Sequence, residues 1–232
     1  MKSIQSIFTT AAAVATLALA VSSSAQASTV TYQGSDAFNG NGHTSVQIGG
    51  TIRSGTFYAG GFDLESPEMG DFVAWCLDLS HYLANPGQYT ETDTPFVGAV
   101  MTSTQIGAVQ ALFDTAYDYV LANITNNAVS AGFQLALWEV RYETGTDYDL
   151  SDGNFKAYSN NTARALAVSA AEGFLGAMGD TPSNSYGLTF LQGTSNNQNL
   201  VTASPVPVPA AGLLLVGALG GLGALRRRKK AA

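Results

Sequence analysis

The stretch that most restricts the fold is residues 131–142, AGFQLALWEVRY, apolar on nearly every side with one carboxamide, Gln134, in its middle. At helical spacing Gln134 and Trp138 share a face, and Phe133, Leu137 and Val140 occupy the neighbouring one. A helix with no polar side belongs inside a domain, so Gln134 is expected to be buried. A buried amide without a partner costs about 1–3 kcal/mol, so this side chain needs hydrogen-bond partners or a chemical role. The single cysteine, Cys76, lies in an equally apolar run, FVAWCLDL, and the two residues are expected to meet.

Both ends of the chain read as addresses rather than as fold. Lys2 precedes an apolar run over residues 11–21, then Ala25-Gln26-Ala27. Small residues there predict a signal peptide over 1–27, cut by signal peptidase between Ala27 and Ser28; the apolar run is too short to span a bilayer comfortably. At the other end Val206-Pro207-Val208-Pro209-Ala210 leads into AGLLLVGALGGLGAL, then Arg226, Arg227, Arg228, Lys229 and Lys230. Residues 210–225 predict a transmembrane helix of about 24 Å, with the basic run held in the cytoplasm and the main domain outside the inner membrane. Residues 205–232 closely resemble the PEP-CTERM sorting signal. That resemblance implies a Gram-negative, exopolysaccharide-producing bacterium and an exosortase that cuts near the proline motif. It also implies an inner-membrane-anchored intermediate that ends at the cell surface or in the extracellular matrix. A plain C-terminal anchor is the alternative.

Residues 28–204 suit one domain with a sizeable core. Four basic side chains, Arg53, Arg141, Lys156 and Arg164, stand there against all 17 acids, a net of −13. Nucleic acid is excluded as a partner, since phosphate binding needs a basic footprint. A lone cysteine cannot form an intrachain disulfide, and in an oxidising compartment it is expected to be buried or already bonded.

Over residues 28–80 short alternating runs (TVTY, TSVQIG, GTFYAGGFDL, FVAWCLDL) are separated by Gly, Asn and Pro, the pattern of strands and turns. Alternation puts Phe72, Ala74, Cys76 and Asp78 on one face and Val73, Trp75, Leu77 and Leu79 on the other; Asn85-Pro86-Gly87 reads as a turn. Thr102 and Gln105 form a capping box for a helix over about 103–123. A second helix follows Asn126-Asn127 and ends near Gly145; a third covers about 162–178. Strands resume over 186–191 and 199–203. Strands, then helices, then strands predict an α+β fold, a β-sandwich or barrel with an inserted helical layer.

Trp75-Cys76-Leu77-Asp78 and Phe133-Gln134-Leu135-Ala136-Leu137-Trp138 resemble the paired motifs of bacterial thioester domains, the TQXA-type modules of surface adhesins. Trp75 departs from the family's usual Tyr, Phe or Leu but keeps its size and apolarity. The resemblance implies an intramolecular thioester between Cys76 and Gln134, with Asp78 positioning the site and Trp138 shielding it. An amine- or hydroxyl-bearing surface target would then be attached covalently, once, without turnover and without a cofactor. The chemistry is reasonable: a thiolate is a good nucleophile, a rigid core supplies effective molarity, and Trp75, Phe133 and Trp138 are suitable walls against water.

Other readings stay open. A cysteine in an apolar strand is commonly core filler, which would leave a non-covalent structural or adhesive protein of the exopolysaccharide matrix. A Cys–His hydrolase would have to use His43 or His81, the latter facing away from Cys76 if the strand continues. Asp147, Asp149 and Asp152-Gly153 suggest a calcium loop, but Tyr158 stands where an EF-hand needs its bidentate Glu. A looser calcium site stays open there beside the reading of a solvated acidic turn; two His and one Cys make no zinc site, and no metal is assigned.

Overall fold

The punctuated runs form strands β1 (Ala27–Tyr32), β2 (His43–Gly50), β3 (Gly55–Gly60), β4 (Phe62–Ser66), β5 (Gly70–Cys76) and β6 (Gly87–Thr92), with a 3-10 helix at Gly34–Gly40. Helices α1 (Ser103–Ala122) and α2 (Asn127–Tyr142) follow, then β7 (Phe155–Tyr158), α3 (Thr162–Ala177), β8 (Tyr186–Gly193) and β9 (Leu200–Pro205). This computed structural model describes residues 27–92, 101–179, 181–194 and 196–206. The signal segment up to residue 26, sorting residues Pro207, Pro209 and Ala210, the apolar span 210–225 and the basic run from Arg226 lie outside the described residues. Among the described residues no helix is long and apolar enough to cross a membrane.

The architecture is mixed α+β, and of the two predicted sheet forms it is the barrel. Six strands close in the order β1-β4-β5-β9-β8-β6, and β3-β2-β7 form a separate sheet. Closure joins Ala27 to Thr90 and Val30 to Gly87, across β1 and β6. Each barrel strand sends one fully buried residue to a small interior core, Val30, Leu64, Ala74, Tyr89, Leu191 and Leu200, with Tyr32, Phe62 and Phe72 packed against it. Trp75, the next residue along β5, faces the other way into the larger core shared by the helices and the second sheet. Its ring lies 4.6 Å from Phe133, which is 5.1 Å from Phe113; such edge-on pairs add about 0.5–1.5 kcal/mol each beyond buried area.

The capping box of α1 is present, with Gln105 N–H donating to Thr102 Oγ1 at 3.2 Å and Thr102 N–H to Gln105 Oε1 at 2.9 Å. Gln105 Nε2 also donates to the carbonyls of Arg141 and Glu143, so one side chain ties the start of α1 to the end of α2. Asn126 caps α2 through Ala128 N–H at 3.0 Å. α2 is enclosed by α1, α3, the β3-β2-β7 sheet and the end of β5, which is why every face of it is apolar.

One ionisable side chain is trapped in that packing. Glu139 is fully buried; its Oε1 accepts the Asp149 N–H at 2.9 Å, and its Oε2 has no hydrogen-bond partner among the described residues. Burial, with the nearby Glu143 and Asp149 charges, pushes its pKa up from 4.5 to about 8. The folded chain therefore keeps a proton that the unfolded chain releases, and this contribution is full below about pH 4.5 and lost as pH rises through about 8. Stability is expected to fall by roughly 2–4 kcal/mol between pH 5 and pH 8. Glu139→Gln, neutral and isosteric, should flatten that profile and be the more stable protein at pH 8. Parallel urea denaturation curves that keep the same pH slope in both proteins would overturn the assignment.

Candidate functional site

Cys76 is the last residue of β5, and Gln134 sits midway along α2. Pairing of β5 with β4 ends at Ala74 and Phe62, leaving the Cys76 amide and carbonyl without a strand neighbour on that side. The Gln134 carboxamide takes the vacant place. Cys76 N–H donates to Gln134 Oε1 at 2.9 Å, and Gln134 Nε2 donates to Cys76 O at 2.8 Å. Both residues are 1% exposed. The carboxamide carbon thus lies beside the residue that carries the thiol, in a dry site. One N–H is already aimed at the oxygen where charge would gather if that carbon were attacked.

Backbone strand alternation does not continue past Cys76. The chain turns, and Asp78 meets the sulfur through its backbone: Sγ–H donates to Asp78 O at 3.1 Å, and Asp78 N–H approaches Sγ at 3.3 Å. The Asp78 carboxylate points elsewhere, accepting from Ser80 N at 2.7 Å and Asn199 Nδ2 at 3.2 Å and pairing with His81 Nδ1 at 2.5 Å. Burial pushes the Cys76 thiol up to about 12, only partly offset by the Trp138 indole, the Asp78 backbone and Gln198. The resting sulfur is therefore a protonated thiol. Among the described residues Trp138 Nε1 has no hydrogen-bond partner, and its N–H dipole favours the thiolate. Among the described residues the sulfur's hydrogen-bond partners include no imidazole nitrogen; His43 is exposed, its Nδ1 near Asn41 O and its ring against Tyr58.

Several residues around the sulfur escape a reading of the sequence. Tyr142 Oη accepts Leu79 N–H at 2.9 Å and donates to Leu77 O at 3.3 Å. Gln198 Nε2 donates to the carbonyls of Asp78 and His81 at 3.2 and 3.3 Å. Together they staple the turn after Cys76. Tyr142 had a signal: it extends the Gln134–Trp138 stripe by one more turn. Gln198 and Asn199 had only a carboxamide cluster ahead of β9 to mark them. The acidic loop spends its carboxylates locally, Asp149 on Ser151 and Asp152 on Lys156, and among the described residues no three His, Cys, Asp or Glu side chains converge as a metal site.

No protein-family model matches the chain, and no curated protein matches it. Three solved structures are similar in shape. The N-terminal domain of the Streptococcus pyogenes pilus tip adhesin Cpa is 13% identical at a TM-score of 0.40, covering 72% of this chain and 96% of that one. The N-terminal thioester domain of the fibronectin-binding protein SfbI from Streptococcus pyogenes is 14% identical at 0.39, covering 70% and 94%. The N-terminal thioester domain of a surface protein from Clostridium perfringens is 12% identical at 0.39, covering 70% and 100%. At these values the likeness assigns neither a family nor a reaction to this chain.

Proposed function

We propose that the chain is an exported surface or matrix protein that captures a target covalently through a thioester between Cys76 and Gln134. The observation that carries this is the clasp: both heteroatoms of the Gln134 amide are bonded to the Cys76 backbone in a water-excluded core. Attack of Sγ on the amide carbon forms the C–S bond and breaks C–N; the thiol proton leaves with nitrogen as ammonia. Cys76 N–H supports the developing oxyanion, and the buried aromatic walls protect the product from hydrolysis. A target nucleophile later displaces sulfur, leaving an amide or ester on the former Gln134 side chain and a thiol on Cys76. Each molecule acts once. Signal peptidase, an exosortase and a transient stay in the inner membrane belong to the same proposal, carried by the tripartite tail and the N-terminal segment.

A second reading has an observation of its own. The same two hydrogen bonds satisfy the carboxamide without any reaction, which suits a non-covalent adhesive or structural protein with an inert cysteine. Intact mass decides between them. The purified protein is expected to be lighter than its sequence by one ammonia, and Cys76→Ala should restore the full mass. Methylamine should add to the wild type alone. A wild-type mass equal to the sequence mass, with no methylamine adduct, leaves only the non-covalent reading. The same spectrum reads out cleavage after Ala27 and removal of the tail.

A further inference from the structure

A cavity of about 390 Å³ opens beside the site, and Trp138 and Gln198, both of which act on the Cys76 sulfur, are among its walls. Its outer walls are aromatic: Phe57, Tyr58 and Tyr82, the two tyrosines 75% and 70% exposed. A second cavity of about 460 Å³ shares Tyr32, Tyr58 and Phe62 with it, so the two adjoin along a ridge of rings.

The permanent charge in the lining of the first cavity, among the described residues, is Arg53. Arg53 lies over the Phe57 and Tyr82 rings at 4.9 and 5.3 Å and donates to Tyr82 Oη at 3.0 Å. Among the described residues its lining includes His81, paired with Asp78 at 2.5 Å, and no Asp or Glu. A lysine ammonium entering here meets a permanent guanidinium, and the Asp78 carboxylate beside the wall is already engaged by His81, Ser80 and Asn199. An acidic polymer faces the opposite difficulty, the domain's net charge of −13.

Two polar atoms of the inner wall residues sharpen the choice. Trp138 Nε1 and Gln198 Oε1 are buried without hydrogen-bond partners among the described residues, a donor and an acceptor that are closed to solvent, so a ligand meets them only when these side chains shift. A hydroxyl answers both: one lone pair accepts from the indole, its hydrogen goes to the carboxamide oxygen, and a second lone pair remains for attack. An ammonium has no lone pair, and a neutral amine has only the one that must attack.

We infer that the target is a hydroxyl group of a neutral glycan, stacked on Tyr58 and Tyr82 and presented between Trp138 and Gln198. This rests on the thioester. The hydroxyl oxygen attacks the thioester carbonyl carbon, the C–S bond breaks with its electron pair on sulfur, and the hydroxyl proton ends on Cys76, giving an ester and a thiol. The apolar C–H faces of a sugar ring suit the negative faces of the tyrosine rings, and a polymer has room to continue along the ridge into the second cavity.

The test incubates purified full chain with methylamine, with dextran- and cellulose-derived oligosaccharides, or with a lysine-containing peptide at equal concentration, and reads intact mass. Oligosaccharide adducts, cleaved by alkaline hydroxylamine as esters are, should exceed lysine-peptide adducts by about tenfold. Tyr58→Ala/Tyr82→Ala, whose side chains are exposed and so safe to truncate, should cut the oligosaccharide yield about tenfold relative to methylamine capture by the same protein. Preference for the lysine peptide, or an unchanged oligosaccharide yield in the double variant, overturns the glycan assignment while leaving the thioester intact. Absence of the ammonia deficit together with no methylamine adduct removes the thioester itself.

Discussion

Gln134→Ala is expected to abolish methylamine capture and to destabilise the domain by roughly 3–5 kcal/mol. The chemical half is simple, since the alanine has no carbonyl for sulfur to attack. The energetic half follows from the clasp. Cys76 N–H and C=O lose their partners at 2.9 and 2.8 Å in a site with 1% exposure, and the truncated side chain leaves a cavity. Gln134→Glu separates the two effects. It keeps an acceptor for the Cys76 N–H, so it should recover part of the stability, particularly at acid pH where the carboxyl is neutral, yet it should form no methylamine adduct at neutral pH. Urea denaturation and intact mass on the three proteins provide the check. Capture surviving in Gln134→Ala would end the Cys76–Gln134 assignment; a loss below about 1 kcal/mol would mean the clasp contributes little to the fold.

The second large effect lies two residues earlier. Gly132→Val is expected to cost about 3–5 kcal/mol, enough to leave the domain largely unfolded or insoluble. Gly132 is where α2 and α3 cross. A Cβ there would lie 2.6 Å from the Ala170 Cβ, 2.9 Å from Ala167 O and 3.0 Å from Ala171 N. Two of those neighbours are backbone atoms, so relief requires the helices to separate, undoing the burial of Ala167 and Ala171, both 0% exposed. Even a folded fraction should capture poorly, because moving α2 moves Gln134 away from β5. Thermal unfolding and the ammonia deficit are the measurements. A melting temperature within a few degrees of wild type, corresponding to about 1 kcal/mol, would show that α3 is not held at this distance.

How much of this could be read from residue order depends on how local each cause is. The capping pair Thr102–Gln105 lies within one turn, and it fixes the start of α1 in sequence as in structure. The all-round apolarity of α2 announces its burial before any neighbour is known. The end of β5 did not announce itself. Alternation runs on through Asp78, but the Asp78 carboxylate turns back on the Ser80 N–H, an Asx turn that competes with the strand. Asp78 therefore touches the sulfur with its backbone, not with the carboxylate that alternation would have placed on the same face. His81 comes to Asp78 by the same turn. β6 and β7 were not foreseen. GQYTET beside a proline turn and the four-residue FKAY become strands only because β1, β8 and β2 offer them edges from distant parts of the chain. Sequence alone does not carry such pairings. Gln198, Asn199 and Tyr142 reach the site over separations of 63 to 121 residues for the same reason.

The position of β9 has a mechanical consequence. It lies between β5 and β8, with Leu200 opposite Cys76 and Pro205, its last residue, opposite Tyr186. A pull between a cargo fixed at Gln134 and a tether at the C-terminus would run lengthwise along that strand. Its rungs to both neighbours lie across the direction of pull, so they would share the load in shear instead of peeling in sequence. Catch and mooring would then be joined through α2, which carries Gln134, and one short, stiff strand.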